Sequence, residues 1–138
     1  MILMFQKEVA DRILSEHNSK KYSRISILVS AFYNVKKITD VCKKDFFPIP
    51  KVNSTVLYFD KLKTNRIEFN DIKYLEKITN HLFANRRKKI KKKIQNIFSS
   101  DIIKKNSLKD IFDLRAENVE KKKIFELALL IKKNKLNF

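Results

Sequence analysis

The stretch Phe46-Phe47-Pro48-Ile49-Pro50-Lys51-Val52-Asn53-Ser54-Thr55-Val56-Leu57-Tyr58-Phe59 organises the first half of the chain. Its two prolines fix φ and bias the preceding residues towards extended geometry, so residues 46–50 are predicted to form a stiff loop. Apolar residues then occupy both alternating faces of residues 51–59, which is typical of a strand buried on both sides. The first expectation is therefore a rigid loop leading into a buried strand.

Further elements are predicted upstream of this strand. Residues 1–6 form an apolar run, predicted as a strand, and residues 7–16 continue as a helix. Residues 24–33 carry apolar side chains at helical spacing, and residues 35–41 are predicted to form another strand. The first part of the chain is therefore expected to be α/β.

The character of the sequence changes after residue 60. Residues 61–69 are polar and are predicted to form a linker. Beyond them, apolar stripes of helical period and capping residues predict helical segments at residues 70–83, 87–98, 107–112 and 120–133. The predicted fold class is α/β plus all-α, with an α/β piece at residues 1–60 and a small helical domain at residues 70–138.

The charge balance indicates the kind of partner. Lys and Arg number 32 against 15 Asp and Glu, which gives a formal net charge of +17. Such an excess favours a polyanion, either nucleic acid or an anionic membrane surface. The longest apolar run, at residues 127–131, is far shorter than the ~20 residues of a spanning helix. Nucleic acid is therefore the favoured partner, and no membrane is expected.

Two residue counts exclude classes of site. The sequence contains no glycine, whereas phosphate-cradling loops need glycine for positive φ and close backbone approach. Neither a Rossmann fingerprint nor a P-loop is therefore present. The single cysteine, Cys42, allows no disulfide framework and no metal cluster. With no export signal at the first residues, a cytoplasmic location is expected.

The densest cationic run lies at residues 86–93 and contains no acid. Its cations are Arg86, Arg87, Lys88, Lys89, Lys91, Lys92 and Lys93. On the predicted helix, Ile90, Ile94 and Ile97 face inward and the cations cover the remaining arc. Phosphates would relieve the mutual repulsion of these charges, so contact with RNA phosphates is predicted. The alternative is a solvated face without a ligand.

The proline-bounded loop is a second candidate site. A rigid loop that holds the Phe46 ring beside a strand end suits stacking on an unpaired base. The same residues would also occur in an ordinary loop that packs on the core. The motif alone is compatible with both interpretations, base stacking and core packing.

Five segments of the chain become recognisable together. They are Phe5-Gln6-Lys7-Glu8-Val9-Ala10-x-Arg12-Ile13, Tyr22-Ser23-Arg24-Ile25-Ser26, Phe46-Phe47-Pro48-Ile49-Pro50-Lys51-Val52-Asn53-Ser54, Asn85-Arg86-Arg87-Lys88 and Arg115-Ala116-Glu117-Asn118. In order and spacing they resemble motifs of the small-subunit rRNA adenine dimethyltransferases, across essentially the whole chain. Ser23 and Ile49 depart from the family's glycine and proline.

The resemblance implies an enzyme that uses S-adenosylmethionine to dimethylate adenine exocyclic amines in small-subunit rRNA, with a role in ribosome biogenesis. It places Phe46 beside a flipped adenine, with Pro48 and Pro50 shaping the pocket wall. Gln6 and Glu8 are expected near this target-base pocket. The residues expected to meet RNA phosphates are Lys51, Arg86, Arg87 and Lys88.

The family's glycine-rich cofactor loop and its Asn-Leu-Pro-Tyr catalytic motif do not occur in this sequence. We therefore expect the C-terminal strands of a Rossmann-like methyltransferase sheet followed by a helical RNA-binding domain. No catalytic, cofactor-binding or metal-binding residue is expected in this chain, which alone is expected to be inactive. A separate upstream half of the same enzyme is one possible partner. The alternatives are a non-catalytic RNA-binding or ribosome-assembly module and a gene remnant.

Overall fold

A computed structural model describes all 138 residues, which form two compact units. The sheet unit comprises residues 1–16 and 21–66, and the helical unit comprises residues 17–20 and 67–138. Across both units, no helix combines the length with the apolar composition that crossing a membrane requires.

Three strands and two helices build the sheet unit. They are β1 (Ile2–Gln6), α1 (Lys7–Leu14), α2 (Arg24–Ser30), β2 (Tyr33–Val41) and β3 (Ser54–Lys61). The strand order is β1-β3-β2, and both pairings are antiparallel. The strand that comes last in the sequence is therefore the central one, and β1 lies at an edge.

The core of this unit lies on one face of the sheet. Leu57 and Phe59 of β3 are buried against Ala10 of α1, and side chains of α2 join the same cluster. The rings of Phe5 and Tyr33 each lie 5.9 Å from the ring of Phe59, measured between centroids. The packing of both helices on this face determines which alternate residues of β3 are removed from water.

The prediction that β3 is buried on both faces is wrong. Tyr58, on the second face, is 40 % exposed, and Val56 is only half-buried. The reason is that α1 and α2 pack into one cluster with Leu57 and Phe59, so they cover the same face. Apolar content alone does not show which side of a strand a helix covers.

Helix α2 is also shorter than its apolar spacing predicts. It ends at Ser30 and not near residue 33. Tyr33 begins β2, opposite Lys61 of β3, and the amide of Leu62 donates to the carbonyl of Phe32 at 2.9 Å. Pairing with β3 therefore takes the backbone out of the helix at this point.

Four helices form the framework of the helical unit: α3 (Ile72–Phe83), α4 (Lys91–Ile97), α5 (Ser100–Lys105) and α6 (Lys121–Lys133). Short 3₁₀ turns lie at Phe69–Asp71, Leu108–Ile111 and Ala116–Asn118. Helices α3 and α6 pack together. Their buried stripes are Leu75, Ile78 and Leu82 on α3 and Ile124, Leu127, Ala128 and Ile131 on α6. The apolar periodicity predicted for these two helices is confirmed.

The prediction that the cationic run lies on a helix beginning at residue 87 is wrong. Helix α4 begins at Lys91, and residues 84–90 form turns. The amide of Ile90 donates to the carbonyl of Leu114 at 2.9 Å, and Lys89 forms an isolated bridge with Arg115. This pairing with a distant segment replaces the first turn of the predicted helix, so α4 begins with Lys91, Lys92 and Lys93.

Candidate nucleic-acid interface

An open cleft of about 500 Å³ lies in the sheet unit, where β1 runs into α1. It is lined by Gln6, Lys7, Glu8, Asp11, Lys21, Lys43, Lys51, Val52 and Asn53. The structure thus brings Lys51 to the same cleft as Gln6 and Glu8, from which it is far removed in the sequence. These are three of the residues expected near the target base or the RNA backbone.

Asn53 holds the wall of this cleft. Its carbonyl accepts from the amide of Lys7 at 2.9 Å, and its side-chain Oδ1 accepts from the amide of Lys43 at 3.0 Å. One residue therefore joins the start of α1 to both ends of the loop that precedes β3. Sequence reasoning did not single out Asn53, because nothing local indicates that its side chain closes this loop.

The acids at the cleft are paired with cations of the same unit. Glu8 accepts from Arg12 at 2.7 Å, and Asp11 accepts from Lys21 at 2.7 Å. Lys43 and Lys51 are exposed and have no carboxylate partner. The electrostatic field at the cleft mouth is therefore positive, which favours the binding of an anionic phosphate group.

Asp40 of β2 ties Lys7 to the sheet. Its carboxylate accepts from Lys37 at 2.6 Å, from Thr55 at 2.6 Å and from Lys7 at 3.1 Å. These bonds, with that of Lys37 the largest contribution, hold the pKa of Asp40 well below its usual range. Asp40 is therefore an ionised anchor for Lys7 at the cleft.

The loop between β2 and β3 lies beside the cleft and not inside it. A 3₁₀ turn at Lys43–Asp45 leads to Phe46, which is half-buried. Pro48 is exposed and Pro50 is half-buried, and none of these three residues lines the cleft. Of the predicted target-base residues, the structure therefore groups Gln6 with Glu8 and places Phe46, Pro48 and Pro50 on the neighbouring loop.

In the helical unit, the basic segment (residues 86–93) contains two kinds of cation. The first kind bonds within the chain. Arg86 donates to the carbonyl of Lys20 and to Glu117, Lys89 donates to Asp113 at 2.7 Å, and Lys93 donates to the carbonyl of Leu82 at 2.6 Å. The pKa of Lys93 is lowered by desolvation and then by the charge of Lys88.

The second kind faces solvent. It comprises Arg87, Lys88, Lys91 and Lys92, all of which are exposed. Their charged groups have no carboxylate partner among the ion pairs of the helical unit. Four adjacent exposed cations of this kind form a surface that phosphates would neutralise.

Arg86 joins the two C-terminal landmarks of the sequence. It lies 3.0 Å from the Glu117 carboxylate, and the carbonyl of Glu117 accepts from the amide of Asn18 at 2.8 Å. The side chain of Asn118 donates to Asn18 at 2.9 Å. The segments around residues 18, 86 and 117 therefore form one hydrogen-bonded network. The sequence did not reveal this network because the three segments lie far apart in the chain.

No three His, Cys, Asp or Glu side chains come together in a way that could hold a metal ion. The backbone also has no glycine turn of the kind that cradles a nucleoside cofactor. Its positive-φ residues are Asn18, Ser107 and Lys135, and none of them lies between a strand and a helix. At the one strand that runs directly into a helix, Gln6 has φ −55° and carries a side chain. No open backbone turn is available there for phosphate or ribose.

Comparison with known proteins identifies the family. A family model described as ribosomal RNA adenine dimethylase matches residues 1–133. A ribosomal RNA small subunit methyltransferase A from Pelagibacter ubique is 43 % identical over 130 residues, which cover 93 % of this chain and 48 % of the relative. The protein of the same name from Borreliella afzelii is 37 % identical over 129 residues, which cover 93 % of this chain and 45 % of the relative.

Solved structures show the same fold. The crystal structure of a dimethyladenosine transferase from Plasmodium falciparum matches with a TM-score of 0.80 and 21 % identity, over 99 % of this chain and 58 % of that chain. The 23S rRNA methyltransferase ErmE matches with a TM-score of 0.58 and 16 % identity, over 92 % of this chain and 53 % of that chain. The predicted fold class, part of a methyltransferase sheet followed by helices, is confirmed. The chain spans about half the length of the curated relatives it matches, and it belongs to the ribosomal RNA adenine dimethylase family.

Proposed function

We propose that this chain is the RNA-contacting part of an rRNA adenine dimethyltransferase. The complete enzyme would transfer methyl groups from S-adenosylmethionine to the exocyclic amines of adenines in small-subunit rRNA. Membership of the family and the names of the relatives support this assignment. The observation that carries it is the pair of basic surfaces, one at the cleft mouth and one at the exposed cations of the basic segment.

The two units have different roles in this proposal. Residues 1–60 present the target-base loop, with Phe46 flanking the adenine and Pro48 and Pro50 shaping the loop. Gln6 and Glu8 lie at the end of β1, where polar groups can orient a base edge. Residues 70–138 grip RNA phosphates.

Phosphate contact is assigned to the cations that the fold leaves facing water. These are Lys43 and Lys51 at the cleft and Arg87, Lys88, Lys91 and Lys92 in the basic segment. Arg86, Lys89 and Lys93, also predicted from the sequence, are engaged within the chain. A cation already bonded to a carboxylate or carbonyl loses that bond when it turns to a phosphate, so its net contribution to RNA binding is smaller.

Methyl transfer needs an electrophilic methyl group, which S-adenosylmethionine supplies when bound. Because the residues of this chain do not form a cradle for that cofactor, methyl transfer is proposed only for an assembly that includes another cofactor-binding segment. An upstream half of the same enzyme is the proposed partner.

RNA affinity measured against salt concentration tests the assignment. The probe is a small-subunit rRNA hairpin, and the variant is the triple substitution Arg87→Ala, Lys88→Ala and Lys92→Ala. We expect weaker binding and a slope of log K against log salt that is flatter by up to ~3. A matched triple, Lys36→Ala, Lys61→Ala and Lys63→Ala, removes the same charge from the exposed surface of the sheet unit. Equal flattening by both triples would refute a specific role for the basic segment.

The poor fit to the cofactor favours one alternative, a non-catalytic RNA-binding or ribosome-assembly module. Calorimetry with the purified chain and S-adenosylmethionine is expected to show no saturable binding, and micromolar binding would contradict this. Deleting the coding sequence separates the two functions. Loss of dimethyladenosine from small-subunit rRNA supports the enzyme, whereas unchanged methylation with defective subunit assembly supports the module.

A further inference from the structure

The loop between β2 and β3 exposes an apolar tip, which comprises Phe47, Ile49 and Val52. The exposed fraction is 101 % for Phe47, 64 % for Ile49 and 45 % for Val52. Single exposed apolar residues are common on protein surfaces. Here three lie within six residues, and the most exposed is an aromatic ring without any packing partner in the loop.

Hydrogen bonds and two prolines restrict the loop that carries the apolar tip. The amide of Asp45 donates to the carbonyl of Cys42 at 3.0 Å, and Asn53 bonds the loop at its start. Phe46, directly before the tip, is half-buried, and its amide donates to the carbonyl of Lys43 at 3.4 Å. Pro48 and Pro50 restrict φ at two further positions. Because the backbone of this loop is already restricted, less conformational entropy is lost when a ligand binds to the exposed ring.

Cations surround the apolar tip. Lys43, Lys44 and Lys51 flank it and are exposed, and Asp45 is the one acid between residues 41 and 59. Phe69 gives the opposite case within the same chain. Its ring is 73 % exposed but lies between Glu68 and Asp71. The ring of Phe47, by contrast, has three exposed lysines within four residues, where a polyanion would be attracted.

We propose that Phe47 stacks on an unpaired nucleobase of RNA, with Ile49 beside it and Lys43, Lys44 and Lys51 against the adjacent phosphates. An exposed ring among cations is the arrangement that binds single-stranded nucleic acid, because every base has an apolar face and a charged backbone. The inference rests on the proposed function and deepens it. In addition to the contact of Phe46 with the target adenine, it assigns Phe47 to a second, unpaired base that lies outside the cleft.

The observations favour RNA over an anionic membrane. The tip consists of one planar ring and two small aliphatic side chains, which is little apolar area to bury in a bilayer. The cleft next to it also offers the side-chain amide of Gln6, which can bond a base edge. Lipid headgroups share the phosphate but present no base edge.

A fluorescence experiment on the full chain tests the contact directly. The chain contains no tryptophan, so Phe47→Trp introduces a single reporter at the fully exposed position, with no core packing to disturb. An oligoadenylate about ten nucleotides long is expected to quench this reporter saturably. An abasic oligonucleotide of the same length and charge should leave it unquenched. Equal quenching by the abasic strand, or a blue shift only with phosphatidylglycerol vesicles, would overturn the proposal.

Affinity measurements give an independent result. Phe47→Ala is expected to weaken oligoadenylate binding by about 5- to 150-fold, the loss of one aromatic–base stack. Binding of the abasic strand and the salt slope should stay unchanged, because no charge is removed. The control, Phe69→Ala, removes an exposed ring outside this loop and should not change affinity.

The inference and the proposed function can fail separately. If the basic-segment triple weakens rRNA binding while Phe47→Ala has no effect on oligoadenylate, only the stacking proposal is overturned. If the Phe47→Trp reporter is quenched by oligoadenylate while the triple leaves rRNA binding unchanged, the stacking contact holds and the assignment of the basic segment fails.

Discussion

Arg86 and Arg87 are neighbours in the basic segment, and replacing each by alanine is expected to give opposite results. Arg86 donates to the carbonyl of Lys20 at 2.9 Å and to Glu117 at 3.0 Å, whereas Arg87 is exposed. Arg86→Ala should therefore destabilise the helical unit and leave the salt dependence of RNA binding intact. Arg87→Ala should reduce that dependence and leave stability intact.

The size of the first effect follows from the bonds that are lost. A hydrogen bond to a neutral carbonyl contributes about 1 kcal/mol and one to a charged group about 1.5–3 kcal/mol. The Arg86 side chain is 35 % exposed and that of Glu117 is 24 % exposed, so water screens the pair and the lower values apply. Arg86→Ala is expected to lower the free energy of unfolding by about 2 kcal/mol, against less than about 0.5 kcal/mol for Arg87→Ala.

Urea unfolding of the full chain, followed by far-ultraviolet circular dichroism, measures these differences. With a urea dependence of about 2 kcal/mol per M, Arg86→Ala should lower the midpoint by about 1 M. In RNA binding, Arg87→Ala should flatten the salt slope by ~1. The reasoning is refuted if Arg86→Ala leaves the midpoint unchanged and flattens the slope as much as Arg87→Ala does. That result would mean that Arg86 contacts phosphates and not Glu117.

Three further predictions concern stability and association. Leu57→Ala, at a fully buried position of β3, should cost about 2–5 kcal/mol in urea unfolding, whereas Tyr58→Ala on the exposed face should cost far less. Burial and then the charge of Lys93 lower the pKa of His81 below its ordinary 6.5, so its neutral form is favoured in the folded state. The stability that His81 provides is present above pH 6.5 and lost as pH falls through its folded pKa. His81→Phe should reduce this pH dependence in thermal melts, and an unchanged pH dependence would contradict this role of His81. Met4→Lys, at a 52 % exposed position of the edge strand β1, should reduce self-association in sedimentation velocity, and an unchanged distribution would exclude edge pairing through β1.

Local sequence pattern was sufficient for the elements whose burial follows one period. The stripes on α3 and α6 were predicted because residues three and four apart share a helix face. The strands of the sheet unit were predicted within two or three residues of their bounds, since β-branched and aromatic residues cluster there. The order of five short motifs then indicated the family, and the family model supports that identification.

The candidate site was predictable only in part. Gln6, Glu8 and Lys51 do line one cleft, but Lys43 and Asn53 were not identified from the sequence. Asn53 closes the loop through a bond to the amide of Lys43, ten positions away, and short-range patterns do not report such a bond. The exposure of the Phe47 ring was likewise invisible, because Phe46 and Phe47 are chemically identical and only the fold turns one of them outward.

By itself the sequence determined the strong positive charge, the lack of glycine turns, the type of every main element except α5, and the order of the motifs. These properties depend on composition and on residues a few positions apart. Only the tertiary structure decided which face of β3 is covered, where α4 begins, and which cations of the basic segment face water. Each of these depends on groups distant in the chain coming into contact, as when Arg86 meets Glu117 across 31 positions. An ion pair or backbone hydrogen bond between such distant groups exists only once the chain has folded. Folding therefore decides which of the otherwise similar lysines and arginines are bonded within the chain and which remain exposed.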